Sequence, residues 1–299
     1  MELRHLRYFV AVAEELHFRK AAERLHIVQP ALSKQIASLE HELGIVLLER
    51  TKRKVQLTEA GMVLLEDARQ LLAHAEGAVE RAHLASRGEM GTLNIGFIPP
   101  ILYGRLPVMV RRYRSRYPRA RVNLRELGNA AAVGAVLSGE NHLGFVRLPI
   151  ERHPDLSCLQ VLEEPIMLAV PTHHRLATES EIAVSSLADE SLILIPRARE
   201  PELHDFYISL CATAGFSAKL VHEADRTHVV MGLVAAGLGI AFVSTSTSLV
   251  SYPGVVFVPI AEPAPRMSIG MIWRNTAVPP VLSTFLELRP WEDGDRDEL

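Results

Sequence analysis

At 299 residues the chain is too long for one ordinary core and points to two or three domains. Apolar residues make up 48% and charged residues 22%, a globular balance that excludes a disordered or fibrous chain. The net charge of −3 conceals a basic start, because residues 1–58 hold 10 Lys and Arg against 7 Asp and Glu, while the tail 291–299, WEDGDRDEL, is acidic and reads as solvated or disordered.

Leu3, Leu6, Phe9, Val10 and Ala13 mark a first amphipathic helix, preceded by no uninterrupted apolar core or small-residue cleavage site of a secretory signal. No apolar run approaches the roughly 18 residues of a membrane span, so a cytoplasmic protein with no membrane contact is expected. A second short helix, FRKAAERLH (18–26), turns Ala21, Ala22 and Leu25 inward. After a tight link at Ile27 and Val28 comes VQPALSKQIASLE (28–40), where Leu32, Ile36 and Leu39 share one face and Pro30 suits the first turn. Helix, tight turn and helix at this spacing form a helix-turn-helix. Gly44 ends the third helix, and VLLERTKRKVQLT (46–58) reads as a hairpin wing with a basic tip at 51–54.

Thr58 can cap a long helix running to about Arg87. Along it Leu65, Ala68, Leu72, Ala75, Val79 and Ala82 step by three and four residues. The stripe reads as a dimer seam, in preference to packing against the chain's own C-terminal domain. SRGEMG (86–91) is a hinge. Strands at 92–98, 120–127 and 143–148 then alternate with helices, and the theme repeats after about 160 with strands at 165–171, 191–196, 219–225 and 239–244. Strands at 255–260 and 267–274 and a helix near 279–289 close the chain. Such alternation implies parallel sheets covered on both faces. Two α/β halves with crossovers near 160 and 265 make a clamshell, whose ligand belongs beyond the carboxyl ends of the strands. Cys158 and Cys211 lack CxxC spacing and read as reduced, buried thiols; no metal site and no cofactor are expected.

The chain resembles the LysR-type transcriptional regulators over nearly its whole length. The densest match is residues 6–61, LRYFVAVAEELHFRKAAERLHIVQPALSKQIASLEHELGIVLLERTKRKVQLTEAG. Weaker marks are LNIGF (93–97), HHRLA (173–177) and GLVAAGLGIAFV (232–243), and the stretches MELRHLRYFVAV and IGFIPPILYGRLP (95–107) look most like the benzoate- and muconate-responsive, aromatic-catabolism branch. The resemblance implies a winged helix-turn-helix DNA-binding domain (1–58), a linker and dimerisation helix (59–87) and a two-subdomain, periplasmic-binding-protein-like α/β effector domain (91–299). Subdomain I then covers about 91–160 and 266–290, and subdomain II about 161–265. It implies a homodimer or homotetramer, an activator on double-stranded promoter DNA that can contact RNA polymerase, and a small-molecule effector, an aromatic or carboxylic acid.

The first turn of the third helix should enter the major groove. Gln29 suits adenine edges, Ser33 a base edge or phosphate, Lys34 guanine or phosphate, and Pro30 a thymine methyl; the family's groove-facing positions fall on these four. Arg50, Arg53 and Lys54 in the wing suit phosphate or minor-groove contacts, which position without specifying. The family often has proline where Lys54 stands.

Effector candidates follow from strand ends: Ile98, Pro99, Pro100 and Ile101 after the first strand, Gly128 and Asn129 after the second, and Arg147 at the end of the third. Pro196, Arg197, Pro201, Leu203, Thr227 and His228 come from the second half. In the aromatic branch a hydroxyl residue and a helix N-terminus hold the effector carboxylate where this chain has Pro100. Two prolines remove two N–H donors there. Arg147 reads equally as a carboxylate clamp or as half of an ion pair. Arg197 and Arg199 read as surface charges, His228 as a ligand donor or a structural group, and His173 and His174 as structural. An enzyme on the clamshell is the weaker alternative, because no GxSxG, GxGxxG, Walker or HExxH motif is present. A ligand-independent regulator whose pocket is shut by Pro99 and Pro100 is another.

Overall fold

The helix-turn-helix residues segregate by side. In the computed structural model, which describes residues 1–51, 54–289 and 291, the chain opens with α1 (Leu3–Glu15), α2 (Phe18–Arg24) and α3 (Gln29–Leu43). Leu6, Phe9 and Val12 of α1, Ala21 and Ala22 of α2, and Leu32, Ile36 and Leu39 of α3 form one core. Leu3, expected to face inward, is 45% exposed, and Val12 takes its place in that core. Gly44 closes α3 with φ +69, a left-handed turn that suits glycine. β1 (Leu48–Arg50) and β2 (Val55–Leu57) pair antiparallel as the wing. Arg53 at the wing tip, and the acidic tail after Trp291, lie outside the described residues.

Thr58 then accepts the Gly61 N–H at 2.9 Å and caps α4 (Glu59–Ser86). The apolar stripe of α4 divides. Ala68 is fully buried in the winged-helix core, with Leu65 and Leu72 packed against it. Ala68 is therefore covered within its own unit, Leu65 and Leu72 are partly exposed, Val79 is 59% exposed and Ala82 is exposed. The small Ala68 side chain sits against the three-helix core, a contact that the heptad spacing alone does not reveal.

The chain divides into two compact units, Met1–Leu84 and Ala85–Leu299. The second holds β3 (Gly91–Phe97), α5 (Pro99–Tyr103), α6 (Arg105–Arg116), β4 (Ala120–Glu126), α7 (Asn129–Ser138), β5 (Leu143–Leu148) and β6 (Leu156–Pro171). There follow β7 (Ser191–Leu194), α8 (Pro201–Thr213), β8 (Lys219–Glu223), α9 (Thr227–Ala235), β9 (Ala241–Ser244), β10 (Val255–Pro259), β11 (Arg266–Arg274) and α10 (Pro280–Leu288). The main sheet runs β10-β6-β11-β5-β3-β4, with β9 also on β6. β3, β4 and β5 are parallel, as alternation implies, but β11 is antiparallel to both β5 and β6. The wholly parallel expectation fails because β6 and β11 are the two crossovers. β6 pairs with β11 over its first half and with β9 and β10 over its second, so one continuous strand joins the two subdomains.

Separate apolar clusters fill the two halves, one around Ile95, Phe145, Met271 and Phe285, the other around Leu168, Leu192, Tyr207 and Phe242. Cys211 is buried, but Cys158, on the exposed first half of β6, is not. Among the described residues no helix is long and apolar enough to cross a membrane.

Gly88 adopts φ +73, and a Cβ there would lie 2.1 Å from the Pro280 carbonyl oxygen. Its own carbonyl accepts from Thr284 Oγ1 at 3.2 Å. Gly88→Ala is expected to destabilise the second unit by about 1–3 kcal/mol through combined strain and collision. Urea denaturation of the full chain checks this, and an unchanged midpoint would refute it.

Candidate functional site

Two surfaces gather the polar residues singled out by the sequence. On the first unit, the start of α3 presents Gln29, Pro30 and Lys34 to solvent, with Ser33 half-buried beside them. Val28 precedes the helix without a side-chain cap, Pro30 carries no N–H, and the Ala31 N–H donates to the Val28 carbonyl at 3.1 Å. Arg50 behaves differently from its expected role. Its Nη2 donates to Glu40 Oε2 at 2.8 Å, its Nη1 lies 3.4 Å from Ser33 Oγ, and its head sits 4.7 Å from the Phe18 ring centre. Glu40 Oε1 also accepts the N–H groups of Leu47 and Leu48 at 2.9 and 3.0 Å. Arg50 therefore ties the wing to α3. Lys54 is exposed at the wing, where its backbone N–H donates to Thr51 Oγ1 at 3.0 Å.

On the second unit, a cavity of about 40 Å³ lies between the subdomains, enough for a few waters. Pro100, Arg147, Leu203 and Thr227 line it, as the strand-end rule led one to expect. A neighbouring cavity, lined by Pro99, Gly128, Glu200 and Arg226 among others, shares Arg147, Ile195 and Thr227 as a common wall. Ile101 is buried in the core of the first half and lines neither. Pro196 accepts the Arg199 and Glu200 N–H groups in a turn, and Pro201 starts α8; neither lines these two cavities. His228 is exposed and lines neither cavity.

Asn129, read as a polar effector contact, spends its amide on backbone. Its Nδ2 donates to the Arg147 carbonyl at 3.1 Å and its Oδ1 accepts the Arg147 N–H at 2.6 Å. The effect is to extend β5 by one strand-like pairing and fix where Arg147 stands. The Arg147 side chain is only 10% exposed, and its Nη1 donates to Glu200 Oε2 at 2.9 Å. Arg226 and Glu126 form a second bridge at the rim at 2.7 Å, about half exposed and so heavily screened. Both pairs run from one subdomain to the other. Arg197 pairs with Asp205 on the exposed face of α8, and His174 pairs with Glu190 at 3.2 Å.

The hydroxyl run STSTS (244–248) follows β9, and Ser244 and Thr247 line the cavity. Beneath them Glu164 is 6% exposed; its carboxylate accepts the Ser246 N–H at 2.7 Å and the Ser246 hydroxyl at 2.8 Å. Burial pushes the Glu164 carboxyl above its usual range, and the Ser246 hydrogen bonds counter this only in part. Burial likewise raises the Tyr207 phenol, which lines the same cavity, so it stays neutral.

With the geometry in view, comparison with known proteins is decisive. Residues 3–62 match the model of the bacterial regulatory helix-turn-helix protein, lysR family, and residues 86–289 match the LysR substrate binding domain. The chain belongs to the LysR family. It is a DNA-binding transcriptional regulator with an effector-binding domain. It is 42% identical to the HTH-type transcriptional regulator AlsR of Bacillus subtilis over 82% of this chain and 81% of that protein. To ClcR of Pseudomonas putida it is 35% identical over 97% and 98%. The crystal structure of CbnR, a LysR family transcriptional regulator, superposes with a TM-score of 0.85 at 33% identity, covering 96% of this chain and 99% of that one. CbnR with its target DNA gives 0.84 at 32% identity, over 98% and 100%.

Among the lining residues of this LysR effector domain that sequence reasoning passed over are Glu200, Tyr207, Ser244 and Thr247. Tyr207 stands one turn after Leu203 on α8, and the hydroxyl run stands at the carboxyl end of a strand, so both were legible by spacing. Glu200 was not, because its partner is 53 residues away.

Because the folded state raises the Glu164 carboxyl, its contribution to stability is full at low pH and is lost as pH rises through the raised value. Glu164→Gln keeps an acceptor for the Ser246 N–H and carries no charge. Thermal unfolding from pH 4.5 to 8 should show the wild type losing more stability than Glu164→Gln; parallel curves would contradict the assignment.

Proposed function

We propose that this LysR-type regulator reads promoter DNA with Gln29, Pro30, Ser33 and Lys34 at the start of α3, with Lys54 and Arg53 of the wing on phosphates. It is switched by a small carboxylic acid, aromatic ones included, bound between the two effector subdomains. The observation that carries the reading is Arg147: a guanidinium buried at the end of a sheet strand, inside an inter-subdomain cavity. Arg50 joins the DNA face as the residue that positions Ser33 and the wing, not as a direct phosphate contact. The exposed part of α4, with Val79 and Ala82, supports helix pairing between two copies, and the homotetramer is the family's usual assembly. The working domain limits are 1–58, 59–87 and 91–299.

An acid that binds one arrangement of the subdomains better than the other shifts their angle. A coupling of about 1–3 kcal/mol is commensurate with the roughly 1–6 kcal/mol needed to bend a site of 20–30 base pairs. The output is activation through RNA polymerase, in the cytoplasm and without catalysis.

A second reading also has an observation behind it. The cavity is small, with Pro100 in its wall, which favours a regulator that needs no ligand. Footprinting on the DNA upstream of the protein's own gene, with and without monocarboxylic acids, separates the two. Protection that changes with one acid supports the switch; protection that no acid alters supports the shut pocket; no protection at modest salt removes the promoter assignment.

Two substitutions sharpen this. Gln29→Ala is expected to cost about 1–3 kcal/mol at one A·T position and to relax preference there, read by binding to a panel of operator variants. Arg147→Ala should remove the acid-dependent change in the footprint, and a retained response would retire Arg147 as the anchor.

A further inference from the structure

The pairing of Arg147 is one-sided. Glu200 takes Nη1, while Nε is buried and has no hydrogen-bond partner. A guanidinium presents its N–H groups as a planar fork, and a free carboxylate takes two in parallel. The edge that includes Nε is the one Glu200 leaves unclaimed. Glu200 is itself lodged by a neighbour's lack of a side chain: a Cβ on residue 128 would lie 2.6 Å from Glu200 Oε1. Gly128 has φ −73 and ψ 164, a conformation open to any residue, so glycine is needed here for room and not for backbone shape.

Arg147 is also the only cation among the described residues that line the main cavity. Away from Arg147, the Thr247 hydroxyl meets that of Ser244, which meets that of Ser246, which donates to the buried acid Glu164. A second carboxylate on the ligand would meet an acid there and no cation. Leu203, Tyr207, Val230 and Phe242 supply apolar walls between the two ends.

Resting on the acid-switched reading above, we infer that Glu200 is a built-in competitor for the effector: a monocarboxylate claims the Nε edge of Arg147 and expels the Glu200 carboxylate from Nη1. Two carboxylates on one guanidinium in a buried site repel each other strongly. The bidentate newcomer holds the better geometry. Glu200 immediately precedes α8 in one subdomain and Arg147 ends β5 in the other, so ligand entry and release of the inter-subdomain bridge are a single exchange.

The test is calorimetric titration of the full chain with monocarboxylates from acetate to benzoate, each beside its neutral amide. Two variants remove the competitor by different means. Glu200→Gln removes its charge, and Gly128→Ala pushes the carboxylate aside while leaving it in the chain. Both are expected to bind the preferred acid at least about tenfold more tightly than the wild type, within the usual range of such couplings, with no matching gain for the amide. Should the wild type bind an acid and neither variant tighten, Glu200 is a positioning partner of Arg147; the competitor is overturned and the acid-switched reading stands. Equal tightening in Glu126→Gln, which breaks only the rim pair, would assign the effect to a looser cleft and overturn the inference as well. If no acid binds the wild type or either variant, both the reading and the inference built on it fail.

Discussion

Burying a guanidinium between two half-domains is the constraint around which the effector unit is arranged. A desolvated charge costs several kcal/mol unless it is both paired and hydrogen-bonded. Arg147 meets that demand only in part, because Glu200 takes its Nη1 while its buried Nε has no partner. Asn129 holds its backbone from the same subdomain, and Glu200 meets its head from the other. The two subdomains thus share one electrostatic requirement, and anything that changes the partner of Arg147 acts on both. The continuous strand β6 and its antiparallel return β11 leave only limited ways for the halves to respond.

The DNA-binding unit solves a related problem at its surface. The recognition turn must leave polar groups open, and an open turn is not held by burial. Glu40 supplies the restraint from one helical face, because its two oxygens collect the Leu47 and Leu48 N–H groups and the Arg50 head together. These bonds tie the wing to α3. Arg50 stacked near Phe18 completes the tie. The Arg50–Glu40 pair holds the wing to α3, while Gln29, Pro30 and Lys34 stay exposed.

Much of this was legible in the residues alone. The apolar periodicity of Leu32, Ile36 and Leu39, the proline at the head of α3 and the glycine at its end are local signals, and each acts within a few residues of itself. The clamshell was likewise readable from alternating strands and helices. Where local reading failed, a distant partner decided the outcome. The stripe on α4 has coiled-coil spacing, yet Ala68 is claimed by the winged-helix core. Asn129 has the polarity of a ligand contact, yet its amide is consumed by β5.

The sequence by itself determined the family, the helix-turn-helix and its outward face, and the alternation that builds an effector domain, since propensity, capping and periodicity are properties of neighbouring residues. Only the tertiary structure decided that β6 and β11 run antiparallel as crossovers, that Arg50 pairs with Glu40, and that Arg147 faces Glu200 and not solvent. Those outcomes depend on which residues are brought together across tens of positions. Charge pairing and burial are fixed by that proximity, and no short-range pattern encodes it.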